Sequence, residues 1–135
     1  MRFLDTNVLL YSVSTNPKER IKRDIAQRVL SDRDNALSVQ VLQEFYVQAT
    51  RATRPAPLAH DTAVDLIRTW LRFPVQSITL SLMNDALDLK DRTGFSYWDT
   101  AIIAAARALG CREVLSEDMS HGREIEGIVI TNPFR

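Results

Sequence analysis

Apolar residues recur along the chain in two rhythms. Short, mainly apolar runs at 2–4, 35–39, 75–78, 113–115 and 127–130 read as five buried strands. Between them the spacing is helical. Asp5-Thr6-Asn7 supplies polar caps for a helix through Val8, Leu9 and Tyr11, and segment 19–32 places Ile21, Ile25, Val29 and Leu30 on one face. A helix over 40–53 carries Val41, Leu42, Phe45, Tyr46 and Ala49 as its inward stripe, and Pro55 and Pro57 end it. Helical spacing resumes over 62–71 through Ala63, Leu66, Ile67 and Trp70, up to Pro74. It returns over 82–92 with Met83, Ala86 and Leu87 inward and Gly94 as the stop. Segment 98–109 is apolar nearly all round, so it is expected to be a buried helix, closed by Gly110.

Strands alternating with helices predict an α/β domain with a mainly parallel, five-stranded sheet covered on both faces, a three-layer α/β/α arrangement. With 135 residues and 45% hydrophobic content, one domain over 1–135 is expected. Lysine plus arginine balances aspartate plus glutamate at 17 each, so no bulk positive charge draws the chain onto nucleic acid. The single cysteine, Cys111, excludes an internal disulfide and a cysteine-rich zinc site and reads as a buried thiol. The N-terminal apolar run is broken by Asp5, too short to span a bilayer and a poor signal peptide, which implies a cytoplasmic protein.

In a parallel sheet, sites form beyond the carboxyl ends of the strands. Asp5 directly follows the first strand, and Asp118 follows the fourth by two or three residues. Each has a structural alternative: Asp5 as a helix N-cap, Asp118 as a turn residue with Glu117 beside it as an equal candidate. Asp99 stands three residues after Ser96, a spacing that resembles a capping box, yet a carboxylate entering a buried helix needs a partner, and a metal ion is one. Glu44 lies about 60° outside the Val41 edge of its helix, where a solvated glutamate is the default. Spread-out carboxylates without a histidine or cysteine cluster suit magnesium or manganese better than zinc. His60 and His121 have no zinc-ligand spacing and read as surface residues.

The stretches LDTNVLLYS at 4–12, VQVLQEFYV at 39–47, SYWDTAIIAAARALGC at 96–111, VLSEDMSHG at 114–122 and ITNPF at 130–134 together resemble the PIN-domain ribonucleases. The likeness spans the chain and is strongest to the small toxin subunits of VapBC-type toxin-antitoxin pairs. It implies that Asp5, Glu44, Asp99 and Asp118 hold Mg2+ or Mn2+ and carry catalysis, with Asp118 preferred to Glu117. Thr6, Asn7 and Ser116 then match supporting positions. All four acids of the pattern are present.

The resemblance further implies a metal-dependent endoribonuclease giving 5′-phosphate and 3′-hydroxyl ends, working as a homodimer with a cognate antitoxin protein. Arg51, Arg54, Lys90 and Arg92 are the basic candidates for the RNA backbone, each equally readable as a solvated helix residue. Tyr97 and Trp98 could stack on a base, although Trp98 at the head of an apolar helix reads more readily as core. The alternatives are a general RNA-processing nuclease of the same family, a phosphotransfer domain using Asp5, and an interaction module whose acids are only caps. No Asp-x-Asp pair follows the first strand, which weighs against the second.

Overall fold

A polar residue in extended conformation marks where four of the helices start. Asp5, Ser38, Thr79 and Ser96 are all extended N-caps whose side-chain oxygens accept a backbone N–H from the following turn. The computed structural model describes residues 1–135, in the order β1 (Arg2–Leu4), α1 (Thr6–Ser12), a single 3-10 turn (Pro17–Glu19), α2 (Arg20–Ser31), β2 (Asn35–Ser38), α3 (Val39–Ala49), α4 (His60–Trp70), β3 (Val75–Gln76), α5 (Leu80–Thr93), α6 (Tyr97–Ala108), β4 (Glu113–Leu115), β5 (Glu124–Ile125) and β6 (Ile128–Thr131). Gly94, at φ +75°, stops α5 in the left-handed conformation that glycine adopts without a steric penalty.

The sheet has six strands, ordered β3-β2-β1-β4-β6-β5, where the sequence pattern predicts five. The additional strand, β5, is antiparallel to β6 and only two residues long. It exists because Glu126 and Gly127, at φ +53° and +83°, make the two-residue turn whose twist suits a hairpin. All other pairings are parallel. Phe3 and Leu4 of β1, all of β2, and Val114 and Leu115 of β4 are buried on successive positions, as in a sheet covered on both faces. Thirty buried apolar residues form one continuous core.

Chain order places the functional edge. From β1 the sheet grows through β2 and β3 on one side and through β4 and β6 on the other, so strand order reverses between β1 and β4. The crevice beyond the carboxyl ends of those two strands is where α/β sheets bind ligands. Asp5 and Ser116 stand there, joined across the gap by the Asp5 N–H donating to the Leu115 carbonyl at 3.0 Å.

Several apolar positions differ from expectation. Met83 and Leu87 of α5 point outward, its buried side being Ala86 and Leu89, and Ile21 of α2 is exposed. Trp98 is 63% exposed instead of forming core. With Ile78, Leu80 and Met83 it lines an apolar groove of about 470 Å³ between the starts of α5 and α6. The apolar pattern identifies a helix face; it does not say whether this chain or another covers it. Cys111 is buried and unpaired. No helix is long and apolar enough to cross a membrane.

Candidate active site

Asp5 is buried at 6% exposure, and its two oxygens are separately held. Oδ1 accepts the Thr6 backbone N–H at 2.7 Å, and Oδ2 accepts the Ser116 hydroxyl at 2.7 Å. The capping role is therefore real, and the carboxylate also reaches across the strand gap to β4. Burial is the main cause that pushes its pKa up to about 6 from 3.8; the Ser116 and Thr6 hydrogen bonds oppose it, and the charges of Asp118 and Glu44 add to it.

Glu44 is half-buried. Its Oε2 accepts the Thr6 hydroxyl at 2.9 Å and its Oε1 the Gln40 amide at 3.2 Å. The contact to Thr6 turns a helix flank into part of the same cluster. Gln40, one helical turn before Glu44 and on the same side of α3, is a site neighbour the sequence reading missed; its i, i+4 spacing to Glu44 is the signal that marks it.

Asp99 enters on the first turn of α6, where its backbone N–H donates to the Ser96 hydroxyl at 3.2 Å. The cap is thus made through the Asp99 backbone and does not itself require the carboxylate. Its pKa is raised, first by burial, with Ser96 opposing and the charges of Asp118 and Glu44 adding. Asp118 is exposed and accepts the Asn7 amide at 3.1 Å. Its own N–H and that of Met119 both donate to Ser116 Oγ, at 3.2 and 3.3 Å, so one hydroxyl braces the turn and Asp5 together.

The neighbouring Glu117 is differently occupied. It accepts the Tyr11 hydroxyl and the Lys22 ammonium, and these more than offset the effect of burial, leaving its pKa lowered. None of the five ion pairs in the chain involves Asp5, Glu44, Asp99 or Asp118. Asp118 and Glu44 each act by charge on both Asp5 and Asp99, whose pKa values are raised, and none of the four is paired with lysine or arginine; by donor chemistry such carboxylates suit a divalent cation. They do not close into a ready cage of three or more ligands.

An open cleft of about 640 Å³ reaches the site at Asp118, the one of the four acids in its wall, which Asn7, Tyr11, Arg54 and Glu117 also line. Of the four basic candidates, Arg54 alone lines it. Arg92 is paired with Glu126 on the β5–β6 turn, while Arg51 and Lys90 are exposed. His60 and His121 are on the surface; His60 meets the Tyr46 hydroxyl at 2.8 Å, and His121 Nδ1 accepts the Asn132 N–H at 2.9 Å. Tyr97 packs edge-on against Trp98, their ring centroids 5.1 Å apart.

The PIN domain family model matches residues 2–123, and the chain belongs to that family. No curated protein sequence matches it. Among solved structures it is similar to a toxin–antitoxin complex from Klebsiella pneumoniae, with 18% identity, 98% of each chain covered and a TM-score of 0.72. VapC20 of Mycobacterium tuberculosis, described as a sarcin-ricin loop cleaving toxin, is 20% identical over 87% of this chain and 92% of its own, with a TM-score of 0.67. DNA-bound VapBC from Salmonella typhimurium gives 19% identity, 98% and 97% coverage and a TM-score of 0.64. At these identities the likeness establishes the PIN fold.

Proposed function

We propose that the chain is a metal-dependent endoribonuclease that hydrolyses RNA phosphodiester bonds and acts as the toxin of a type II toxin-antitoxin pair. The observation that supports this reading is the set of acids: carboxylates from four separate elements stand around the sheet's switch point, Asp118 and Glu44 acting by charge on both Asp5 and Asp99, with no basic partner from the chain. Asp5, Asp99 and Asp118, with Glu44, are the residues that would hold Mg2+ or Mn2+. Such an ion supplies Lewis-acid activation of water and offsets charge on the scissile phosphate. Glu44, gripped on both oxygens by Thr6 and Gln40, has the fixed orientation needed to align the attacking water, and Asp118 is the second candidate for that task. Water adds to phosphorus, the bond to the 3′-oxygen breaks, and that oxygen leaves with a proton. Arg54 is positioned to meet the RNA backbone along the cleft.

Cleavage is expected to require Mg2+ or Mn2+ and to stop when a chelator is added. Sustained cleavage by rigorously metal-free protein would sink the mechanism.

Partners follow from the same reading. The proposed homodimer has apolar surface to bury at Ile78, Leu80, Met83 and Trp98, a larger exposed group than α2 or α4 offers. The proposed antitoxin would cover the acid site, which keeps the toxin from cleaving RNA as long as the pair is intact. Sedimentation at tens of micromolar should give a dimer, and expression without an antitoxin should arrest growth. A strict monomer refutes the first, and unaltered growth the second.

A further inference from the structure

The residue beside Asp118 is built into a contact that joins three elements. Glu117 Oε2 accepts Lys22 Nζ of α2 at 2.5 Å, and its Oε1 accepts the Tyr11 hydroxyl of α1 at 2.5 Å. Lys22 also donates to the Tyr11 hydroxyl oxygen at 3.3 Å and stands 5.0 Å from the centre of its ring. That ring in turn packs edge-on against Phe134 near the C-terminus. On its backbone side Glu117 donates its N–H to Asn7 Oδ1 at 3.3 Å, while the Asn7 amide donates to Asp118 Oδ2 at 3.1 Å. The turn after β4 is therefore gripped twice, by Lys22 and Tyr11 through Glu117 and by Asn7 through Asp118.

We propose that Lys22 is a positioning residue for the acid site: with Tyr11 it holds Glu117 against α1 and α2, and so fixes the turn that presents Asp118 to Asp5 and Asp99. The inference rests on the proposed metal-binding role of Asp118. It assigns Glu117 to the scaffold and not to the ligand set. Lys22 is 39% exposed in its side chain, and pairs this open to water add little to overall stability. What the pair can do is choose one arrangement of a short loop. Neighbours of a site that orient its ligands commonly change metal affinity by about tenfold or more when removed.

The test measures Mn2+ affinity by calorimetry and amide exchange at Asp118 and Met119 in the full chain. It compares wild type, Lys22→Met, Glu117→Gln and the reciprocal pair Lys22→Glu with Glu117→Lys. The two single variants should bind Mn2+ about tenfold more weakly and exchange those amides faster, with the thermal midpoint little moved. The reciprocal pair should recover most of both, because the ion pair is restored with its polarity reversed. Lys22→Arg, which keeps the charge, should behave as wild type and serves if the reciprocal pair does not fold. Two results overturn the proposal: Glu117→Gln abolishing Mn2+ binding with no recovery in the reciprocal pair, which makes Glu117 a ligand, or Lys22→Met keeping wild-type affinity and exchange. If the wild type itself binds no Mn2+, the metal-site reading fails separately. Amide exchange still decides the positioning role: faster in Lys22→Met supports it, unchanged overturns it.

Discussion

Asp99→Asn is expected to abolish RNA cleavage while leaving metal-free thermal stability equal to wild type or higher. The Ser96 cap uses the Asp99 backbone N–H, so the substitution leaves it intact. What changes is the charge. In the metal-free protein the Asp99 carboxylate is disfavoured by burial and by the charges of Asp118 and Glu44, and a neutral amide removes that penalty. Stabilisation by Mg2+ or Mn2+ should largely disappear as well; at a hundredfold excess over Kd it amounts to about 2.7 kcal/mol for an intact site. Ser96→Ala is the control. It removes the cap and costs on the order of 1 kcal/mol, with metal-induced stabilisation retained. Melting curves with and without metal, beside a cleavage assay, separate the two. An Asp99→Asn protein that stays active and loses stability as Ser96→Ala does would refute the site assignment.

How far this edge of the molecule could be read from sequence depended on whether each residue's role was local. The position of Asp5 follows from a three-residue apolar run ending in an acid, because a buried strand must end at a sheet edge and the next helix needs a cap. Ser96 is legible as well, because it stands three residues before Asp99 at the head of a helix that needs a cap. Glu44 is not. Helical periodicity reports which face meets apolar core, whereas Glu44 is oriented by Thr6, 38 residues away, and by a glutamine that no apolar pattern marks. Between Glu117 and Asp118 only the family resemblance prefers one; local chemistry leaves them equal, because the contact that occupies Glu117 comes from Lys22 of α2. Arg92 looked free on its helix and is paired with Glu126, 34 residues on. β5 escaped notice because two residues cannot display alternation, and its pairing is set by the turn at Glu126 and Gly127.

Asp5 gives the protein a pH dependence opposite to that of ordinary salt-bridged carboxylates. Its folded pKa of about 6 lies above the 3.8 of the unfolded chain, so the folded state binds a proton that the unfolded state releases. The stabilisation this provides is fully present below pH 3.8 and is lost as pH rises through about 6; the gap between the two values corresponds to about 3 kcal/mol. Metal-free wild type is therefore expected to melt at a higher temperature at pH 5 than at pH 7.5. Glu117, whose pKa is lowered, works in the other direction only at more acid pH, so the window from 5 to 7.5 isolates the raised acids. Asp99 is also raised, first by burial, so its own contribution has the same sign as that of Asp5. A saturating divalent cation favours the charged carboxylates and should flatten or reverse the slope. Asp5→Asn should abolish cleavage and remove most of the metal-free slope. Its side-chain oxygen can still take the Thr6 N–H, so at pH 7.5 the metal-free variant should be at least as stable as wild type. Melting temperatures at four or five pH values, for both proteins with and without Mg2+, supply the check. If the metal-free wild type loses stability steadily on acidification from pH 7.5 to 5, Asp5 is not the strained carboxylate that its burial implies.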